Sequence, residues 1–243
     1  MSSRRTATAE DDSGAPAASV FQRQWATYRK VLDHDYMFHR AVYQRLHRLL
    51  IDEAPRPFRF LDLGCGDATA SVTALAGTPV AAYHGVDLSQ PALDLAREAV
   101  GELGCPVTLE RRDFVAALRD WTAPVDVVWI GQSLHHLRSA GKLEAMRRAR
   151  EILGERGLFL AWEAFSLEGE SRDEWLGRFE HIRPSFTALS EEEWDAMADH
   201  TRLADFPETG SRWHELGRDA GFAEVRELFV APHALSAMYC FST

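Results

Sequence analysis

Phe60-Leu61-Asp62-Leu63-Gly64-Cys65-Gly66-Asp67-Ala68 decides how the rest of the chain is read. A short apolar run ends in an acid, then two glycines stand two residues apart, then small residues able to start a helix follow. This is the pattern of a buried strand that turns tightly into a helix, with glycines letting a ligand approach bare backbone. Dinucleotides and S-adenosylmethionine both bind at such turns. The dinucleotide fingerprint G-x-G-x-x-G/A needs its third small residue at position 69, which here is Thr69; the small residue comes one earlier, at Ala68. A carboxylate at Asp62 also disfavours a pyrophosphate, which seeks backbone N–H groups at a helix N-terminus. It suits a ligand that carries an amino group and a sulfonium.

Downstream residues extend the pattern. Ala81-Ala82-Tyr83-His84-Gly85-Val86-Asp87 reads as a second strand ending in an acid placed to accept two ribose hydroxyls, with Leu88 beside it. Ser89 and Pro91 then open a helix that runs to about Gly101. Leu109 to Phe114 reads as a third strand ending at Asp113, an acid placed to meet an adenine amino group. Val125 to Gly131 is a fourth strand leading into the loop Gln132-Ser133-Leu134-His135-His136-Leu137, and Leu153 to Leu160 closes a helix and opens a fifth strand. Strand and helix alternate throughout, which predicts a parallel, doubly wound sheet with the glycine turn, Asp87, Asp113 and His135 gathered at its carboxyl edge.

This ordered set resembles the class I S-adenosylmethionine-dependent methyltransferases of small-molecule type, closely over residues 55 to 165 and loosely elsewhere. The resemblance implies an α/β, Rossmann-like, seven-stranded sheet with its last strand antiparallel. N-terminal helices and a helical insertion after the fifth strand complete it. It further implies S-adenosyl-L-methionine as cofactor, held by Tyr28, Asp62, Gly64, Cys65, Gly66, Asp87, Leu88, Asp113, Phe114 and Gln132. The His135–His136 loop would face the acceptor. Where the family's turn has a third glycine, this chain has Ala68.

Composition bounds the remaining possibilities. A chain of 243 residues, 46% hydrophobic, suffices for one large α/β domain. Residues 1–19 are expected to form a disordered tail and 20–243 a single methyltransferase domain, with 20–54 as a helical cap. Trp25 and Tyr28 fall in that cap. Residues 166–222 are expected to hold helices near 172–182, 191–200 and 211–220, and to contribute aromatics to an acceptor pocket. A formal charge of −10 argues against nucleic acid as a partner. The clusters Arg111–Arg112 and Arg147–Arg148–Arg150 read as a strand end and a solvated helix face. Cys65, Cys105 and Cys240 have no paired spacing, which fits a reducing compartment. With no apolar run of membrane length and no leader-like segment at the start, a cytoplasmic protein is expected. The aromatic content permits a homodimer without requiring one.

Methyl transfer from a sulfonium is an in-line displacement, so alignment and water exclusion dominate. A hydroxyl acceptor also needs its proton removed, which favours histidine. His135 and His136 are therefore the candidate bases and O-methylation the favoured chemistry, with Glu163 placed to orient a histidine or bind an amine. N- or C-methylation by alignment alone, a non-catalytic S-adenosylmethionine-binding module and a nicotinamide oxidoreductase are the alternatives. His181, His200 and Asp205 lie in the insertion, and His200 and Asp205 are close enough in sequence to share a site. No H-x-x-x-H or C-x-x-C spacing occurs, so no metal site is expected.

Overall fold

The computed structural model describes residues 26–243. The expected tail at 1–19, the start of the helical cap and Trp25 lie outside the described residues. A helix α1 covers residues 26–33. Helix α2 (His39–Asp52) buries His39, Val42, Leu46, Leu49 and Leu50, a stripe at three- and four-residue spacing. Strands β1 (Phe58–Leu63), β2 (Val80–Asp87), β3 (Val107–Arg111), β4 (Val125–Gly131) and β5 (Leu153–Ser166) then alternate with α3 (Thr69–Leu75), α4 (Gln90–Ala99), α5 (Phe114–Asp120) and α6 (Ser139–Ile152). After β5 come α7 (Arg172–His181), α8 (Glu191–Ala204), a two-residue β6 (Glu208–Thr209), α9 (Gly210–Asp219), β7 (Glu224–Val230) and β8 (Ser236–Ser242).

The main sheet has the order β3-β2-β1-β4-β5-β8-β7, with β6 pairing beside β5. Strands β1 to β5 pair in parallel, and β8 is antiparallel to both β5 and β7. Seven strands were expected, and seven form the main path; the short β6 is an addition. Strand order reverses between β1 and β4, which opens a crevice at their carboxyl ends. Central strands are apolar nearly throughout because helices cover both faces. Leu118, Met146 and Trp213 represent one buried layer, under α5, α6 and α9. Leu46, Leu75 and Ala96 represent the other, under α2, α3 and α4.

Local signals set most helix starts. Ser89 caps α4, its hydroxyl accepting from Ala92 N–H, with Pro91 in the first turn. Ser171 with Glu174 and Ser190 with Glu193 form reciprocal capping boxes at α7 and α8. The third strand corrects an expectation: β3 ends at Arg111, and Asp113 instead caps α5 by accepting from Ala116 N–H at 2.9 Å. Phe114 is thus the first helical residue. An Asp three residues before an exposed N–H reads as easily as a cap as it does a strand end.

Within 166–222, only α7 and α8 form a cap. Helix α9 packs on the sheet, burying Trp213 beside Tyr239 and Phe241. The cap is tied to the N-terminal region by Lys30 on Glu193 at 2.7 Å. Tyr36 also stacks on Phe186, ring centroids 4.4 Å apart. Phe186 and Trp194 are buried together with Val31, so these aromatics serve the cap's own core. Both arginine clusters bind within the chain: Arg112 to Asp120, Arg148 to Glu151 and the Leu118 carbonyl, Arg150 to the Gly221 carbonyl. No helix among the described residues is long and apolar enough to cross a membrane.

Candidate active site

The glycine turn is pinned from below. Gly64 and Cys65 N–H groups both donate to the Val86 carbonyl, at 2.8 and 3.0 Å, and Gly66 N–H donates to Asp87 Oδ2 at 2.9 Å. Asp87 Oδ1 accepts from Ser89 N–H at 2.8 Å. Asp87 therefore holds the turn and the start of α4 together, and each of its oxygens keeps a lone pair for a ligand hydroxyl. Gly64 lies at φ +69°, and a Cβ there would sit 2.3 Å from Ser133 Oγ, so a side chain at the first glycine would meet both backbone strain and Ser133. Ala68 adopts the same left-handed region at φ 57° without being glycine.

Above the turn opens a cleft of about 600 Å³, within the size range of small-ligand sites. Gly64 to Ser71 form its floor, Gly131, Gln132 and Trp162 one wall, and Tyr28, Arg29, Arg40 and Tyr43 face them. Of the residues assigned to the cofactor from sequence, Tyr28, Gly64, Cys65, Gly66 and Gln132 line this cleft. Asp87, Leu88, Asp113 and Phe114 do not. Leu88 and Asp113 are exposed at the ends of β2 and β3, while Phe114 packs against the core.

Asp62 sits beneath the turn, 1% exposed, accepting from Tyr83 Oη at 2.7 Å. Its burial pushes the carboxyl up to about 6, against hydrogen bonds from Ser71 and Tyr83 that pull it down. It acts on the cleft through the turn instead of lining it. Sequence reasoning missed Trp162, Tyr43 and Tyr83. Trp162 was accessible in principle, as the last residue before Glu163 on a strand that ends at the cleft.

A second constellation lies where β4 and β5 leave the cleft. Glu163, fully buried, accepts N–H groups from Ser133, Leu134 and His135 at 3.3, 3.0 and 3.1 Å. Its Oε2 also stands 2.6 Å from His135 Nδ1. Both Glu163 oxygens act as acceptors, so Nδ1 carries a proton, and in the neutral imidazole the lone pair of His135 is then on Nε2. That Nε2 points across to the cap, 3.5 Å from Asp205 Oδ1. His136 Nδ1 and His200 Nε2 approach the same oxygen, at 3.3 and 3.8 Å. His181 stays apart, its Nδ1 on the Gly177 carbonyl of its own helix.

The electrostatics follow from this crowding. The adjacent Asp205 carboxylate raises His136 above the ordinary imidazole value, while burial lowers His200. Burial works to raise Asp205, but His136, His135 and His200 together hold it below the ordinary carboxylate value. His135 itself is enclosed, whereas His136 is partly open.

Residues 60–157 match the methyltransferase domain family. The match spans the glycine turn, Asp87 and the histidine loop, on a sheet whose last strand is antiparallel. Residues 60–157 are a methyltransferase domain, on the fold of the class I methyltransferases. S-adenosylmethionine is its cofactor. Structural likeness extends further than the family match. Magnesium protoporphyrin IX methyltransferase (ChlM) from Synechocystis PCC 6803, with bound SAH, superposes at TM-score 0.60 and 13% identity, covering 92% of this chain and 94% of that one. An O-methyltransferase family protein from Burkholderia thailandensis gives 0.61 and 19%, covering 88% of this chain and 59% of that one. The S-adenosylmethionine-dependent methyltransferase SibL gives 0.54 and 22%, covering 77% and 50%. The chain thus spans about half the length of some structures it resembles and nearly all of others. No curated sequence matches it.

Proposed function

We propose that the protein transfers the methyl group of S-adenosylmethionine to a hydroxyl of a small molecule. The observation that carries this reading is the adjacency of cleft and histidines: Gln132 and Trp162 line the cofactor cleft, and His135 and Glu163 follow in the same loop and strand. The turn's backbone and Gln132 would receive the cofactor's methionine portion, Arg29 or Arg40 its carboxylate, and Asp87 its ribose. Asp113, Phe114 and Leu88 would then border the adenine at the ends of β2 and β3.

The acceptor approaches from the side of the cap, between Trp162 and the histidine loop. Glu163 fixes His135 in the tautomer whose Nε2 is basic, the relation of an orienting carboxylate to a general base. His136, partly open and beside Asp205, is the second proton acceptor of the pair. Removal of the hydroxyl proton sharpens the nucleophile, and the chain supplies alignment and a dry wall for the displacement. The acidic surface gives nucleic acid no footing.

Calorimetric titration with S-adenosylhomocysteine and with NADH tests the cofactor half, binding being expected for the first only. A panel of small phenols, alcohols and amines incubated with methyl-deuterated cofactor tests the transfer. Labelled ethers or esters are expected. Label on amines alone would favour alignment-only N-methylation, and binding without any labelled product would favour a non-catalytic module.

A further inference from the structure

The cap brings His200 and Asp205 to one point with the proposed basic pair His135 and His136. Asp205 Oδ1 is buried and has no hydrogen-bond partner, although imidazole nitrogens of His136, His135 and His200 stand 3.3, 3.5 and 3.8 Å away. His136 Nδ1 is as near the Ala204 carbonyl, 3.3 Å, as it is to this oxygen, and its proton goes to that carbonyl. With the Nδ1 proton of His135 committed to Glu163, the lone pair on Nε2 faces a carboxylate lone pair across that gap. Two electron pairs so placed call for a proton or a metal cation between them.

We propose that His135 Nε2, His136 Nδ1 and Asp205 Oδ1, with His200 at the mouth, form a binding site for a divalent transition-metal ion of the zinc type, His136 giving up its proton and its hydrogen bond to the Ala204 carbonyl as the ion enters. Ligand atoms at about 2.0–2.1 Å from zinc, on the corners of a tetrahedron, lie about 3.3–3.4 Å from one another. The separations from Asp205 Oδ1 bracket that value. The donor atoms of His135, His136 and Asp205 all fall within 4.8 Å of one another. Imidazole with one carboxylate is a donor set suited to zinc, cobalt or nickel and poorly suited to magnesium or calcium.

The surroundings fit as well. Glu163 accepts the Nδ1 proton of a would-be ligand, the carboxylate–histidine–metal arrangement that fixes ring orientation and strengthens the donor. Entry is open from the cap side, where the side chains of His200 and His136 are 61% and 38% exposed. The Asp205 backbone is held in place by Arg172 on its carbonyl. The proposal departs from the sequence-based expectation of no metal site. The ligands come from two separated segments, 135–136 and 200–205, so no short motif announces them.

The site rests on these side chains alone and is independent of the acceptor chemistry. One consequence rests on the methyl-transfer reading: an ion here would occupy the basic nitrogens of the histidines, and proton removal would pass to its open coordination position.

The test uses the full chain, stripped with a chelator and dialysed against zinc, with metal counted by mass spectrometry and affinity read by competition. A second arm titrates Co²⁺ and follows the visible absorption of tetrahedral cobalt. One ion per chain and that absorption are expected. Asp205→Asn, His136→Ala and the surface change His200→Ala should each weaken binding by about 10-fold or more, whereas His181→Ala should leave it unchanged. Circular dichroism would confirm that each variant is folded. Absence of saturable zinc or cobalt uptake, the result if the cluster holds only protons, overturns the proposal. So does uptake unaffected by Asp205→Asn and His136→Ala. Metal binding without methyl transfer would sink the acceptor reading and leave the ion site standing; transfer without metal binding would do the reverse.

Discussion

The cofactor turn and the histidine cluster sit side by side but are built in opposite ways. The turn is local: Gly64, Gly66 and Asp87 belong to one strand–turn–helix–strand unit, and their mutual hydrogen bonds are mostly between backbone and one carboxylate. The cluster is assembled from afar, with His135, Glu163, His200 and Asp205 supplied by a loop, a strand and the cap. A local device tolerates variation elsewhere because sequence neighbours hold it. A remote one depends on every element that carries a member. The difference predicts that damage to the turn lowers cofactor affinity, while damage to the cluster changes turnover first.

The largest effect is expected at the cluster. His135→Ala should lower turnover by about 10²–10⁴-fold while leaving the dissociation constant of S-adenosylhomocysteine nearly unchanged. Turnover measured beside a calorimetric titration checks this. Retained turnover would mean that alignment, or another group, carries the reaction.

Next comes Asp62, below the turn. A carboxyl raised from 3.8 to about 6 binds its proton more tightly in the folded chain than in the unfolded one. Its contribution to stability is therefore fully present below the unfolded value and is lost as pH rises through about 6. The loss amounts to about 3 kcal/mol. Asp62→Asn should gain on the wild type by about that much between roughly pH 4 and pH 8, as read from urea unfolding. Parallel profiles for the two proteins would show that Asp62 is ionised at little cost and that the turn is not built on a strained acid.

A smaller effect is expected at Asp87. Asp87→Ala should weaken cofactor binding by about 1–3 kcal/mol, through lost ribose contacts and a loosened Gly66 and Ser89 backbone. An unchanged dissociation constant would break the assignment of the ribose and, with it, the view that the turn is a local unit.

The smallest is at Ala68. Glycine there relieves a left-handed backbone but removes a buried methyl and adds chain entropy, so Ala68→Gly should shift stability by less than about 1 kcal/mol. A thermal melt decides it. A larger loss would show that the Ala68 methyl is a packing element of the turn and not a mere substitute for the missing glycine.

Legibility in the sequence followed the same division. The five parallel strands, the Ser89 cap and the Gly64–Gly66 turn were readable because each is set by residues within a few positions of one another. Asp113 was read as a strand end and is a helix cap, an ambiguity that local chemistry alone leaves open. Aromatics of the insertion read as pocket candidates, but Phe186 and Trp194 bury one another and Trp213 joins the sheet core. Hydrophobicity tells that such a residue will be covered, not by what.

By itself, then, the sequence determined the alternation of strand and helix, the glycine turn with its flanking acids, and the place of a histidine pair after the fourth strand. These are short-range consequences of backbone geometry, side-chain period and capping. Tertiary structure alone decided that Asp62 lies under the cleft, that Trp162 walls it, and that His200 and Asp205 come to face His135 and His136. Those facts depend on how the cap settles on the sheet, and packing between segments tens of residues apart leaves no periodic trace along the chain.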